Sequence, residues 1–163
     1  NNLFSRAGFS TAEGETLPWQ LPITSAQWHY RRKARIGVQF DKNAQAIIGF
    51  RQKSTNQLVA VKACPILVEP ATSIFVPLKK LINELSVKKA IGHIEVICTD
   101  TINNNDVLNQ ITLIVRQVRA LNEQDRTLWQ TYAATHQWQV FFQDNNNDNE
   151  ISTLNKLNTD EVI

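Results

Sequence analysis

The chain has 163 residues, of which 42% are hydrophobic and 20% charged, and its formal net charge at pH 7 is +2. This length suits a single domain with a substantial core, whereas the two cysteines, Cys64 and Cys98, are too few for a disulfide scaffold. No apolar run approaches the roughly 20 residues that span a bilayer and the N-terminus lacks a signal-peptide pattern, so the composition predicts a cytoplasmic protein without membrane contacts.

The first half of the chain predicts a connector, a β-meander and a helix. Residues 1–28 contain glycine and proline without a sustained period. Apolar and polar residues then alternate in three predicted strands: one from Tyr30 to Phe40, one beginning at Ala46, and "LVAVKAC". A helix is predicted over "PATSIFVPLKKLINELS", whose apolar residues recur at helical spacing. Pro77 is expected to kink this helix or delay its start.

The second half predicts two strands, a helix and a last strand. The strands are "HIEVICT" and "DVLNQITLIVRQV", and the helix runs from its cap Asn122 to about His136, with Asp125 at the capping-box position. "WQVFF" follows, while the tail from Ile151 has too little pattern to assign. The order βββ-α-ββ-α-β predicts an α+β fold, a mainly antiparallel sheet with two helices packed on one face. We place this domain at residues 29–143, followed by a polar loop and tail at 144–163.

Positive charge is concentrated in residues 29–62. This segment holds one acid, Asp41, against eight bases: Arg31, Arg32, Lys33, Arg35, Lys42, Arg51, Lys53 and Lys62. The alternation predicts that Arg31, Lys33, Arg35, Arg51 and Lys53 project from one face of two adjacent strands. Cations at fixed spacing can contact successive phosphates. Charge alone leaves two interpretations open, a nucleic-acid contact and a solvated sheet face.

Other residues that could carry chemistry form no catalytic motif. The chain has no glycine-rich phosphate loop and no nucleophile elbow. Its three histidines lie on different elements, which favours a structural or surface role for His93, and Glu95 is predicted to lie on the solvent face of a strand. The aromatic residues Tyr30, Phe40 and Phe50 could stack on RNA bases, but they have the apolar parity, which favours core packing.

Cys64 precedes Pro65, and a Cys-Pro pair ends one known run of iron–sulfur ligands. A buried, inert thiol is the alternative interpretation. Residue type favours the inert thiol at this point.

Several motifs in order carry a family resemblance: "YRRKAR", "GFR" and "VKACP", followed by "GHIEV". With them the chain resembles the iron–sulfur-dependent RNA (uracil-5-)-methyltransferases, most closely the bacterial 23S rRNA type. The likeness is dense over residues 28–67 and ends near residue 143.

The resemblance implies the central domain of a longer enzyme, which agrees with the absence of methionine. In this family an N-terminal TRAM domain precedes the central domain. A C-terminal methyltransferase domain follows it and transfers a methyl group from S-adenosylmethionine to uracil C5. The catalytic cysteine and the cofactor site belong to that last domain. We therefore expect no catalytic or cofactor-binding residue in this chain, and no activity from it alone.

The resemblance also implies two sites. Cys64 matches the family's Cys-Pro position and is expected to be one of four ligands of a 4Fe–4S cluster, whose other cysteines lie upstream, so the fragment should contain no iron. The basic residues expected to hold 23S rRNA are Arg31, Arg32, Lys33, Arg35, Arg51 and Lys53. The chain is expected to be monomeric. The alternatives are the tRNA-modifying branch of the family and a stand-alone RNA-binding or interaction module.

Overall fold

The alternating segments form strands that all join one sheet. We describe a computed structural model over residues 6–8, 20–103, 106–144 and 151–153. The strands of these residues are β1 (Lys33–Phe40), β2 (Ala46–Arg51), β3 (Leu58–Ala60), β4 (Ile91–Asn103), β5 (Asp106–Gln117), β6 (Trp138–Asp144) and β7 (Ile151–Thr153). The helices are α1 (Phe75–Glu84) and α2 (Glu123–His136), with short 3₁₀ turns at Ala71–Ser73 and Lys88–Ala90.

The sheet order is β3-β2-β1-β4-β5-β6-β7. Every neighbouring pair is antiparallel except β5 and β6, which run parallel. Parallel neighbours need a crossover connection, and α2 supplies it. The predicted α+β fold with a mainly antiparallel sheet is confirmed. The strand β7 was not predicted, since the tail from Ile151 lacks a pattern.

One face of the sheet is buried against the two helices. In β1 the buried residues are Ala34, Ile36 and Val38. Alternate residues on the same face of the sheet are buried in β2, β4, β5 and β6. From the helices, α1 contributes Phe75, Leu78, Leu81 and Ile82, and α2 contributes Trp129 and Ala133. Burial of such side chains contributes about 1.5–3 kcal/mol each. The period-2 pattern of the sequence therefore locates the core correctly.

The first strand begins at Lys33 and not at Tyr30, because the preceding residues pair elsewhere. The His29 amide donates to the Pro65 carbonyl over 2.9 Å, and the Arg31 amide donates to the Ile66 carbonyl over 2.8 Å. The third strand is also shorter than predicted and ends at Ala60.

The helix starts follow the sequence more closely. Helix α1 begins at Phe75, which places Pro77 in its first turn, where the missing amide hydrogen removes no intrahelical bond. The predicted delay is confirmed. Asn122 caps α2 by accepting the Asp125 amide hydrogen over 2.8 Å, as predicted. None of the helices in the described ranges is long and apolar enough to cross a membrane.

Candidate nucleic-acid interface

The face of the sheet opposite the helices is the open face, which we define by Lys33, Arg35, Arg51, His93 and Glu95 and the residues in register with them. One row across it runs from Arg35 through Glu95 and Ile114 to Phe141. The β1 end of this row is charged and the β6 end is apolar. The open face therefore has a charged half, which carries three of the six predicted RNA-binding residues, Lys33, Arg35 and Arg51.

Glu95 organises the charged half, a role that the sequence did not reveal. Its Oε2 atom lies 2.7 Å from Lys33 Nζ, and its Oε1 atom lies 2.6 Å from an Arg35 guanidinium nitrogen. The glutamate side chain is only 15% exposed, although it lies on the solvent side as predicted. Hydrogen bonds from Lys33 and Arg35 lower the pKa of Glu95 below its usual value. Two cations and one carboxylate leave this cluster with one excess positive charge.

Arg32 directly precedes Lys33 and therefore has the opposite position in the alternation. An acidic side chain balances its positive charge as well. Its guanidinium lies 2.7 Å from the Asp100 carboxylate. The hydrogen bond to Asp100 raises the pKa of Arg32 further above its usual value. Arg32 and Asp100 together therefore add no net charge to this region. Exposed ion pairs of this kind contribute little free energy, so either side chain can exchange its partner.

The other three predicted RNA-binding residues form no ion pair with a described residue. Arg51 ends β2 on the open face, where its guanidinium donates to Asn56 Oδ1 over 3.2 Å. Arg31 precedes β1 and bridges to Leu67 through the backbone. Lys53 lies in the turn that joins β2 to β3. The prediction that Arg31 and Lys53 project from the strands is wrong, because both strands are shorter than their patterns indicated.

The aromatic residues divide between core and surface. Phe50 packs edge-on against Phe75, with ring centroids 5.7 Å apart, and Phe40 is half-buried against the core. Core packing is confirmed for these two. Tyr30 lies outside the strand and is 49% exposed, so the core interpretation is wrong for it.

Cys64 lies in the turn after β3 and is buried, with 9% of its surface exposed. Its amide donates to the Thr72 carbonyl and its carbonyl accepts the Leu67 amide hydrogen, each over 3.0 Å. Among the described residues no three His, Cys, Asp or Glu side chains gather as metal ligands. An iron–sulfur cluster is held by four ligands. The described residues therefore do not make a cluster site, and Cys64 could supply one ligand at most.

Comparison with known proteins decides the family. A 23S rRNA (uracil(1939)-C(5))-methyltransferase RlmD from Colwellia psychrerythraea is 57% identical over 156 residues, which cover 89% of this chain. The RlmD proteins of Shewanella sp. strain MR-7 and Shewanella baltica strain OS223 are 36% and 38% identical and cover 87% and 85% of it. No model of a protein family matches the chain. This chain is homologous to part of a 23S rRNA uracil-C5-methyltransferase.

The predicted resemblance to this methyltransferase family is therefore confirmed. The chain spans about one third of the length of these relatives, with 33% of the Colwellia protein and 29% of each Shewanella protein covered. Matches of this extent support a fragment of an RlmD-type protein.

Proposed function

We propose that this chain is the RNA-contacting central part of an enzyme that methylates C5 of a uridine in 23S rRNA, with S-adenosylmethionine as the methyl donor. The 57% identity to the Colwellia methyltransferase, extended over nearly the whole chain, carries this proposal. In this proposal the catalytic and cofactor-binding residues belong to other parts of the parent enzyme. This segment holds the RNA substrate.

The charged half of the open face supports the RNA contact. Lys33 and Arg35 stand two residues apart on one strand, and Arg51 ends the adjacent strand. Strand pairing fixes where these side chains leave the sheet, so the cations need little reordering to meet successive phosphates. The ion pairs with Glu95 are no obstacle, because the Lys33 and Arg35 side chains remain 62% and 66% exposed and phosphate is an equivalent partner for them.

The first test measures RNA binding by the chain. We expect binding of a 23S rRNA hairpin to weaken steeply with salt, because each neutralised phosphate releases counterions. Arg51→Ala should lower the affinity and reduce the salt slope by about one. The matched control is Lys80→Ala, which removes an exposed cation from α1 on the helix side of the sheet. Fluorescence anisotropy across a salt series measures both. Equal effects of the two substitutions would contradict an RNA contact on the open face.

A second proposal concerns Cys64, which we propose as one thiolate ligand of a 4Fe–4S cluster completed by cysteines elsewhere in the parent enzyme. Its place in a turn, tied by backbone bonds to Thr72 and Leu67, would hold the ligand rigidly. In the full-length enzyme, Cys64→Ser should lower the iron content and the visible absorbance of the cluster. Cys98→Ser is the control, since this second buried cysteine lies within β4. Full retention of iron by the Cys64 variant would restore the inert-thiol interpretation.

A further inference from the structure

A groove of about 290 Å³ crosses the open face where β1 carries a glycine. Gly37 forms part of its floor, and a Cβ atom at this position would lie 2.6 Å from a terminal carbon of Leu58. The turn between β2 and β3 closes one side, since Gln39 donates to the Asn56 carbonyl over 2.7 Å. His93, opposite Gly37 in the sheet register, lines the other side. Gly37 thus makes room for the Leu58 side chain, which lies over it, and together with Gly92 it brings no side chain of its own into the groove.

Three side chains with nitrogen donors line this groove. Arg35 and Arg51 both line the groove. Arg35 gives its Nε and one terminal nitrogen to Glu95, while no described residue accepts from its other terminal nitrogen. The His93 ring makes no hydrogen bond to any described residue. The groove therefore presents donors that lack acceptors.

We propose that this groove binds the phosphodiester of one RNA nucleotide, with Arg35 and Arg51 donating to its oxygens and the His93 ring donating a further hydrogen bond. The inference rests on the proposed RNA contact and locates one nucleotide within it. The groove is at the lower end of the roughly 300–1,000 Å³ found for ligand pockets, so it suits one phosphate with its sugar and not a duplex. Two guanidinium groups match phosphate oxygens better than they match a base edge.

Proton uptake by His93 should accompany this binding. Burial lowers the pKa of His93, and Arg35, Arg116 and Arg51 lower it further, while Glu95 alone raises it. The ring is therefore neutral at neutral pH in the free protein. A bound phosphodiester adds negative charge beside the ring, raises its pKa and favours the protonated donor. By linkage, affinity must then increase as the pH falls through the range between the bound and free pKa values.

The test uses the complete chain with two probes. The dinucleotide uridylyl-uridine carries one phosphodiester, whose charge does not titrate in this range, and a 23S rRNA hairpin reports the whole surface. Proton NMR of the histidine rings should show that the dinucleotide raises the pKa of His93. Hairpin affinity should rise as the pH falls, by about three- to tenfold once the pH lies below both the free and the bound pKa, which corresponds to a pKa increase of half a unit to one unit.

Substitutions at His93 and Arg51 test whether these residues cause the pH dependence and the dinucleotide binding. His93→Gln keeps a donor but cannot titrate, so it should bind with a flat pH profile, whereas the control His136→Gln on α2 should keep the wild-type profile. Arg51→Gln should weaken dinucleotide binding at least threefold without disturbing the core.

The outcomes separate this inference from the proposed function. If the hairpin binds with the expected salt dependence while the dinucleotide leaves the His93 resonances unchanged, the groove is not a phosphate site and the RNA contact stands. An equal pH profile for the His93 and His136 variants would also overturn the inference. If the hairpin does not bind at all, the proposed RNA contact is wrong, and a dinucleotide shift of His93 would still support the groove as a phosphodiester site.

Discussion

At the scale of single residues, Glu95 controls how much positive charge the open face presents. Alternation in "HIEVICT" places it among polar positions of a strand, and nothing local indicates that two cations will converge on it. Both come from β1, which pairs with β4 in the register Arg35 to Glu95. The ion pairs leave both cations accessible, since the Lys33 and Arg35 side chains are 62% and 66% exposed. Their main consequence is electrostatic, because one acid offsets one of the two cations.

Removal of this acid should therefore strengthen RNA binding. We expect Glu95→Gln to increase the hairpin affinity and to steepen its salt dependence, because Lys33 and Arg35 are then released to the phosphates. Glu123→Gln is the charge-matched control, since it removes an acid from the first turn of α2. Anisotropy at several salt concentrations measures both variants. A Glu95 variant that binds like the Glu123 variant would show that only net charge matters.

At the scale of elements, one carboxylate joins the two helical segments. The sequence places Asp125 at the capping-box position of α2, but its side chain does not bond back to the cap residue. It accepts the amide hydrogens of Ser86 over 2.8 Å and of Val87 over 3.0 Å, just after α1. Asp125 is only 1% exposed, so these two amides take the place of water around its carboxylate. The predicted capping box is wrong, because a tertiary contact takes the carboxylate.

Asp125→Ala should accordingly destabilise the whole domain. Loss of two buried hydrogen bonds to a charged acceptor should lower the free energy of unfolding by about 2–4 kcal/mol. The control Glu123→Ala removes an exposed acid from the same first turn and should cost about 0.3–1 kcal/mol. Urea unfolding followed by circular dichroism gives both values. Similar losses for the two variants would mean that the Ser86 and Val87 contacts carry little energy.

At the scale of the whole molecule, the sheet separates two tasks. The face against α1 and α2 buries the apolar residues that stabilise the domain, and the open face carries the charged half and the groove. Because the core forms on one side of the sheet, the residues on the other side are not needed for stability and can serve binding. The same separation explains why a segment that covers about one third of its relatives has a core of its own.

This separation also predicts the behaviour of the isolated chain. We expect neither methyl transfer to RNA nor measurable binding of S-adenosylmethionine, because in the proposed function both belong to other parts of the parent enzyme. Isothermal calorimetry with the cofactor and a tritium-transfer assay test this expectation, with the full-length parent as the positive control. Micromolar cofactor binding by the isolated chain would contradict the proposed division of tasks.

Features that depend only on neighbouring residues could be predicted from the amino-acid sequence. The parity of Ala34, Ile36 and Val38 identified the core face of β1, and the pattern around Asn122 identified the start of α2, because strand and helix periods and caps are local properties. The motifs from "YRRKAR" to "VKACP" identified the family for the same reason, since each is a short contiguous pattern. The α+β fold followed from the order of these elements.

Which charged side chains meet depends on how distant segments pack together. Arg35 and Glu95 are 60 residues apart in the chain, and Ser86 and Asp125 are 39 apart, so no local pattern indicates either contact. The groove depends in the same way on Gly37, His93 and the turn at Asn56 coming together from three segments. The start of β1 at Lys33 was also set by long-range partners, because the amides of His29 and Arg31 donate to the carbonyls of Pro65 and Ile66.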